Sequence, residues 1–141
     1  MNEAIIARAG EIIAGKTGGG NGGYCVLSLI DSDGFPTSSA ISVSKADGIN
    51  WLTFCTGLGG GKPKRIEKSD RASVCFAADD HNITLVGTIE ILTDPEIKRE
   101  MWYGGLEGHF SGADDPGYCV LRFKTKRYNL LVDWKEARGG L

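Results

Sequence analysis

The sequence predicts a mainly β fold, an antiparallel barrel or sandwich with short helices packed outside it. Three observations lead there. Six or seven apolar runs of strand length follow one another, divided by turn sequences such as DSDGFP and KADGIN. Strands and helices do not alternate regularly, which argues against a parallel sheet. The chain is 141 residues long, the size of one domain, and its 21 glycines favour tight turns and close backbone approaches.

In order along the chain, residues 3–15 place Ile5, Ile6, Ala9, Ile12 and Ile13 on one face, which predicts a short amphipathic helix. The run GKTGGGNGG (15–23) ends it as a loop. YCVLSLID (24–31) reads as a buried strand, TSSAISVSK (37–45) as a second and WLTFCT (51–56) as a third. KPKRIEKSD (62–70) carries a proline tolerated at a helix start and then helix formers. RASVCFAA (71–78) and HNITLVGTIEILTD (81–94) are strands, the second with Gly87 at a bulge or tight bend. TDPE offers Thr93 or Asp94 as N-cap, Pro95 in the first turn and Glu96 to complete a capping box, for a helix over 95–103. A loop spans 104–117, and YCVLRFKTKRYNLLVDW (118–134) holds one long strand or two consecutive ones. No linker or internal repeat divides the chain, so one domain over 1–141 is expected.

Charge and composition narrow the function classes. A net charge of −2 with mixed signs and no basic tail argues against nucleic acid as a partner. No apolar run approaches the roughly 20 residues of a membrane helix, and the N-terminal stretch lacks the pattern of a secretion signal, so a cytoplasmic location is expected. Cys25, Cys55, Cys75 and Cys119 form no CxxC pair, and His81 and His109 lack metal spacing, so no metal site is expected. The cysteines read as small buried hydrophobes kept reduced.

The stretch FCTGLGGGKPKRIEKSDRASVCF carries the most chemistry. A strand ends at Thr56, glycines follow, and Lys62 stands at a helix start. Such an order can cradle a phosphate through a hydroxyl, backbone N–H groups and a helix N-terminus. It departs from the P-loop, because Pro63 stands where that motif needs Ser or Thr, and it lacks the third glycine and the βαβ setting of a dinucleotide fingerprint. A glycine-rich connection with exposed lysines and no ligand is the other reading of the same residues.

The stretch resembles the central motif of the pyridoxamine 5′-phosphate oxidase-like superfamily, the FMN-binding split barrels. The resemblance rests on Phe54, Thr56, Lys62, Ile66 and the strand from Arg71, on the hairpin SVSKADGINWLTF, and on HNITLVGTIEILTDPE. GADDPGYCVLRFKTKRYNLLVDW is similar to the small general-stress-protein branch, and together these segments cover most of 24–134. The resemblance implies a six-stranded antiparallel split β-barrel that binds FMN. It also implies a two-fold homodimer with a flavin site at the interface.

Carried over residue by residue, Thr56 and Lys62 are phosphate-side ligands, with Lys64 as a further cation, whereas Arg65 reads as a solvated helix residue. Ile41, Ser42 and Val43, with Phe54 and Cys55, match the ring-contacting segments, although each also reads as an ordinary sheet residue. Asn82 aligns with a glutamine that reaches the flavin, its amide able to donate and accept, and it also reads as strand-edge solvation. Trp51, Trp102 and Trp134 are candidates for a wall shared between subunits, and core packing is the other reading of each. Two family ligands are missing: Ala40 stands for an arginine and Gly60 for a serine. The C-terminal KEARGGL lacks the Arg-x-His segment of the true oxidases, so oxidation of pyridoxamine phosphate is not expected. The resemblance thus implies a small flavin-dependent oxidoreductase with an unnamed small-molecule substrate. The alternative is a non-catalytic flavin-binding or stress-associated protein with weak or lost cofactor binding.

Overall fold

The computed structural model describes residues 2–19 and 23–141. Positions 20–22 of the expected glycine loop lie outside the described residues. The described elements are α1 (Asn2–Ala14), β1 (Tyr24–Ile30), β2 (Pro36–Ser42), β3 (Ala46–Asp47), β4 (Trp51–Gly57), α2 (Gly61–Lys68), β5 (Arg71–Ala78), β6 (His81–Leu92), α3 (Pro95–Met101), a 3-10 turn (Leu106–Gly108), β7 (Tyr118–Val132) and β8 (Lys135–Gly140). The pairings between these strands are all antiparallel, in the order β2-β1-β5-β6-β7-β4-β3, with β8 added to β7. No helix among the described residues is long and apolar enough to cross a membrane.

β7 organises the sheet. Its first half pairs with β4 and its second half with β8, while β6 runs along its other side for almost its whole length. Beyond β2 the chain crosses to β4, where Ser44 N–H donates to Thr53 O (2.7 Å) and Thr53 N–H to Lys45 O (2.9 Å). The two ends of the strand order thereby meet and the sheet curls into a split barrel. Alternation along the strands fills its interior with Leu27, Leu29, Phe54, Phe76, Ile83, Leu85, Leu121 and Phe123, each at most 2% exposed. Ala9 and Ile13 of α1, both wholly buried, join this core.

Eight strands replace the six expected. β3 is only a two-residue ladder, and β8 forms from the C-terminal segment because Asp133 (φ 51°) and Trp134 (φ 66°) make a tight turn that folds it back on β7. Residues 118–132 form one continuous strand. Gly87 does mark an irregularity: the register shifts between Val86 and Gly87, and a Cβ at Gly87 would collide with Lys124 O. Asp94 caps α3, its Oδ1 accepting from Glu96 N–H (2.8 Å) and Ile97 N–H (3.4 Å). That places Glu96 at the second helical position rather than the third, so the expected capping box is not formed.

A second, smaller core lies outside the barrel. Met101, Tyr118 and Val120 are buried there against Trp51, Trp102, Phe110 and Ile97. α3 and the segment that follows it thus cover the outer sides of β4 and the start of β7. β1, β4 and β7 carry apolar residues on both alternating faces. For β4 and β7 the chain covers the second face itself, whereas on β1 Tyr24 stays 60% and Val26 41% exposed.

Candidate functional site

A cleft of about 310 Å³ opens between the ends of β2 and β4. Its floor is Ile41 and Ser42 from β2 and Cys55, Thr56 and Gly57 from β4. Tyr103, Leu106, His109 and Phe110 form the facing wall. The floor exists because residues 43–45 carry the chain from β2 across to β4, bringing two strand ends side by side. The wall stands because the segment after α3 is held at both ends. Trp102 packs edge-on against Tyr118, with ring centroids 5.3 Å apart, and Phe110 lies 5.2 Å from the same ring. Buried Lys98 donates to Asp115 O (2.8 Å), and the Asp115 carboxylate accepts from Ser111 N–H (2.9 Å) and Gly117 N–H (2.8 Å).

Two ionisable groups of the cleft, Cys55 and Tyr103, are held in their neutral forms. Burial pushes the Cys55 thiol up from its ordinary range, and the thiol lies 3.4 Å from both Met101 O and the Tyr118 hydroxyl. Burial likewise raises Tyr103, against a smaller opposing effect from its hydrogen bond with Ser42. Among the described residues no carboxylate lines the cleft. It therefore offers hydroxyls, a thiol and an imidazole on an apolar surface, a lining suited to a flat, partly polar ligand.

Of the residues singled out from sequence, the structure brings Ile41, Ser42, Cys55 and Thr56 together in this cleft. Val43 and Phe54 are wholly buried in the barrel core and do not line it. Lys62, in the first turn of α2, is half-buried and makes no ion pair or side-chain hydrogen bond among the described residues, but it does not border the cleft. α2 has Gly60 as its N-cap with no side-chain cap, so the Gly61 and Lys62 N–H groups are open to an anion. Lys64 and Arg65 exchange their expected parts. Lys64 is exposed, whereas Arg65 is half-buried and donates to Thr37 Oγ1 (2.6 Å) and Gly61 O (3.1 Å). Both border a shallow cleft with Asp31 and Lys68 on the far side of α2.

Asn82 is exposed while its neighbour His81 points into the protein, as strand alternation requires. Within one chain, however, Asn82 is far from the cleft. Thr56 pairs with Cys119 and Asn82 with Leu131, near opposite ends of β7, which is roughly 40 Å measured along the strand at about 3.3 Å per residue. Trp51 and Trp102 pack into the outer core, and Trp134 is 77% exposed at the β7–β8 turn. Tyr103 was missed because it read as the last residue of a helix over 95–103, and Leu106, His109 and Phe110 because 104–117 read only as a loop; an aromatic and an imidazole set among glycines were the available signal.

Tested against FMN, these residues fit in part. Ile41, Leu106 and Phe110 give an apolar wall for a ring, and Ser42, Thr56 and Tyr103 give hydroxyls at its edge. The open α2 start and unpaired Lys62 suit a phosphate. Ala40 and Gly60 contribute no side-chain donor, and 310 Å³ lies at the small end of cofactor sites, which run from about 300 to 1,000 Å³.

The family profile of pyridoxamine 5′-phosphate oxidase matches residues 21–131. No curated protein matches the chain in sequence. Among solved structures, a Clostridium acetobutylicum protein related to general stress protein 26 of B. subtilis superposes with a TM-score of 0.83 at 24% identity, covering 100% of this chain and 97% of that one. A pyridoxamine 5′-phosphate oxidase-related, FMN-binding protein from Nostoc punctiforme gives 0.67 at 12% identity, over 99% and 94% of the two chains. A heme-binding protein from Mycobacterium smegmatis gives 0.72 at 16% identity, over 96% of this chain and 57% of the other. At these identities the likeness to the three structures is one of fold, whereas the family profile spans most of the sequence: the chain belongs to the pyridoxamine 5′-phosphate oxidase family.

Proposed function

We propose that the protein binds FMN in the Thr56 cleft and acts as a small flavin-dependent oxidoreductase, not as a pyridoxamine phosphate oxidase. The observation that carries the reading is the convergence of Ile41, Ser42, Cys55 and Thr56, from two separate strands, on one cleft, with an uncapped helix start and an unpaired lysine following a few residues after Gly57 along the chain. FMN would supply the redox chemistry by exchanging a hydride equivalent with a small-molecule substrate. The chain's part is to orient and shield. Ile41, Leu106 and Phe110 would exclude water from the ring, Ser42, Thr56 and Tyr103 would fix its polar edge, and Lys62 with the α2 amides would neutralise the phosphate.

The cleft is shallow for FMN in one chain, which supports a site completed by a second copy. Ser42 belongs both to the cleft and to the outer row of β2 with Ser38 and Ala40. That row continues across the sheet through Tyr24 and Val26 of β1 and Cys75 of β5. The uncovered face is made of small and apolar side chains and adjoins the cleft, so a two-fold homodimer would bury both together. In such a dimer Asn82, remote within its own chain, is free to reach the other cleft.

Binding without turnover is the second reading, favoured by Ala40 and Gly60 and by a cleft lining that, among the described residues, holds no carboxylate, lysine or arginine. Purified protein tests the proposal. A yellow dimer that releases FMN on denaturation supports it, and oxidation of a reduced nicotinamide with an electron acceptor then separates enzyme from binder. A colourless monomer that takes up no FMN, or a heme absorption band instead of a flavin one, contradicts it.

A further inference from the structure

The β6 irregularity builds a second site, which does not depend on the flavin. Val86 pairs with Arg127 and Gly87 with Thr125, which leaves Lys126 as the extra residue of the bulge. In a regular strand Lys126 and Arg127 would point to opposite faces. Here both line one cleft of about 410 Å³, together with Arg71, Asp70 and the backbone at Gly87. A neighbouring cleft of about 480 Å³ shares Val86 and Arg127 and adds Arg138 from β8. The bulge is written into the sequence, because a Cβ at Gly87 would meet the Lys124 carbonyl, so only glycine lets the strands approach this closely.

The charges are out of balance with the rest of the molecule. Four cations, Arg71, Lys126, Arg127 and Arg138, border the joined clefts, against a single carboxylate, Asp70. The whole chain carries −2. Among the described residues none of the four cationic side chains makes an ion pair or hydrogen bond, whereas Arg122 and Lys124 on the same strand are both engaged by Glu90. Unpaired guanidinium groups grouped around a concave surface raise the local potential and present forked donors to phosphate oxygens.

We propose that this groove binds a small anion carrying two or more phosphate charges. A single carboxylate would engage one fork, while cations on β5, β7 and β8 around two joined clefts suit a ligand with separated negative charges. The anion is distinct from any held near Thr56, since that residue meets β7 at its opposite half.

Inorganic pyrophosphate is the probe, titrated into the intact protein and followed by amide chemical shifts. The expected result is saturable shifts at Val86, Gly87, Arg127 and Gly139. Affinity should fall with added salt and by about tenfold or more in R127Q/R138Q, the size of one lost charge-assisted hydrogen bond. Both residues are exposed, so the variant keeps its fold. Lys62→Ala should leave these shifts unchanged. Shifts confined to residues 57–62, an unchanged affinity in R127Q/R138Q, or no saturable shift at all would overturn the proposal.

Discussion

Lys98→Met probes the wall of the cleft. Lys98 is only 7% exposed, yet its ammonium donates to Asp115 O (2.8 Å) and sits 5.2 Å from the centre of the Tyr118 ring. The Tyr118 hydroxyl donates back to Lys98 O (2.8 Å), a contact the substitution leaves in place. Methionine keeps most of the stem and removes the charge. The lost charge-assisted hydrogen bond is worth about 1.5–3 kcal/mol and the contact of a desolvated ammonium with the ring about 2 kcal/mol. Against this, methionine avoids the several kcal/mol that desolvating an ammonium costs. The ammonium keeps a bonded carbonyl, an aromatic face and the nearby Asp115 carboxylate, so its desolvation is largely compensated, and removal leaves Asp115 O without its partner. The balance predicts a destabilisation of about 1–3 kcal/mol. For a chain of this size that is a fall in Tm of about 3–9 °C. Calorimetry reads the total, and hydrogen exchange at Ser111 and Gly117, whose amides depend on Asp115, should quicken by more than exchange in β5 and β6. A variant as stable as the parent, with those amides equally protected, would refute the reasoning and show that desolvation dominates.

Two further outcomes follow from the barrel. Gly87→Ala forces its new methyl into the Lys124 carbonyl, a backbone atom that cannot swing aside, and should cost about 1–3 kcal/mol or more by urea unfolding; a neutral result would show that the bulge relaxes freely. Burial pushes the Cys25 thiol up to about 12 and Cys119 up to about 11. With folded values above the unfolded value, stability is fully present below about pH 9. It should fall above that, by up to about 1.4 kcal/mol per pH unit for each thiol. Cys25→Ala/Cys119→Ala should flatten that alkaline slope, and an unchanged slope would assign it to other groups.

The strands were legible because their alternation is strong: Cys25, Leu27 and Leu29 point inward while Tyr24 and Val26 point out. β8 was not. KEARGG carries only Ala137 as an apolar anchor, and its turn uses Asp133 and Trp134 in left-handed conformations where Asn-Gly would have announced a hairpin. At the site, the order of Ile41, Ser42, Cys55 and Thr56 along the sequence was enough to nominate them. What sequence could not show was which lysine or arginine is free. Arg65 looked solvated, yet it reaches Thr37 in a distant strand, a contact set by how α2 lies across β1 rather than by the helix itself. The cleft wall escaped for the same reason. Tyr103, His109 and Phe110 are brought over Thr56 only by the anchoring of Trp102 and Phe110 on Tyr118 and of Asp115 on Lys98, contacts between segments remote along the chain.

The central claim is that FMN occupies the Thr56 cleft with its phosphate beside Lys62. The dissociation constant of FMN, read from quenching of flavin fluorescence in the parent and in Lys62→Ala, tests it most directly. The account predicts saturable binding that weakens by about tenfold or more on losing one charge-assisted hydrogen bond. Equal affinity in the two proteins, or no binding by the parent, would contradict it.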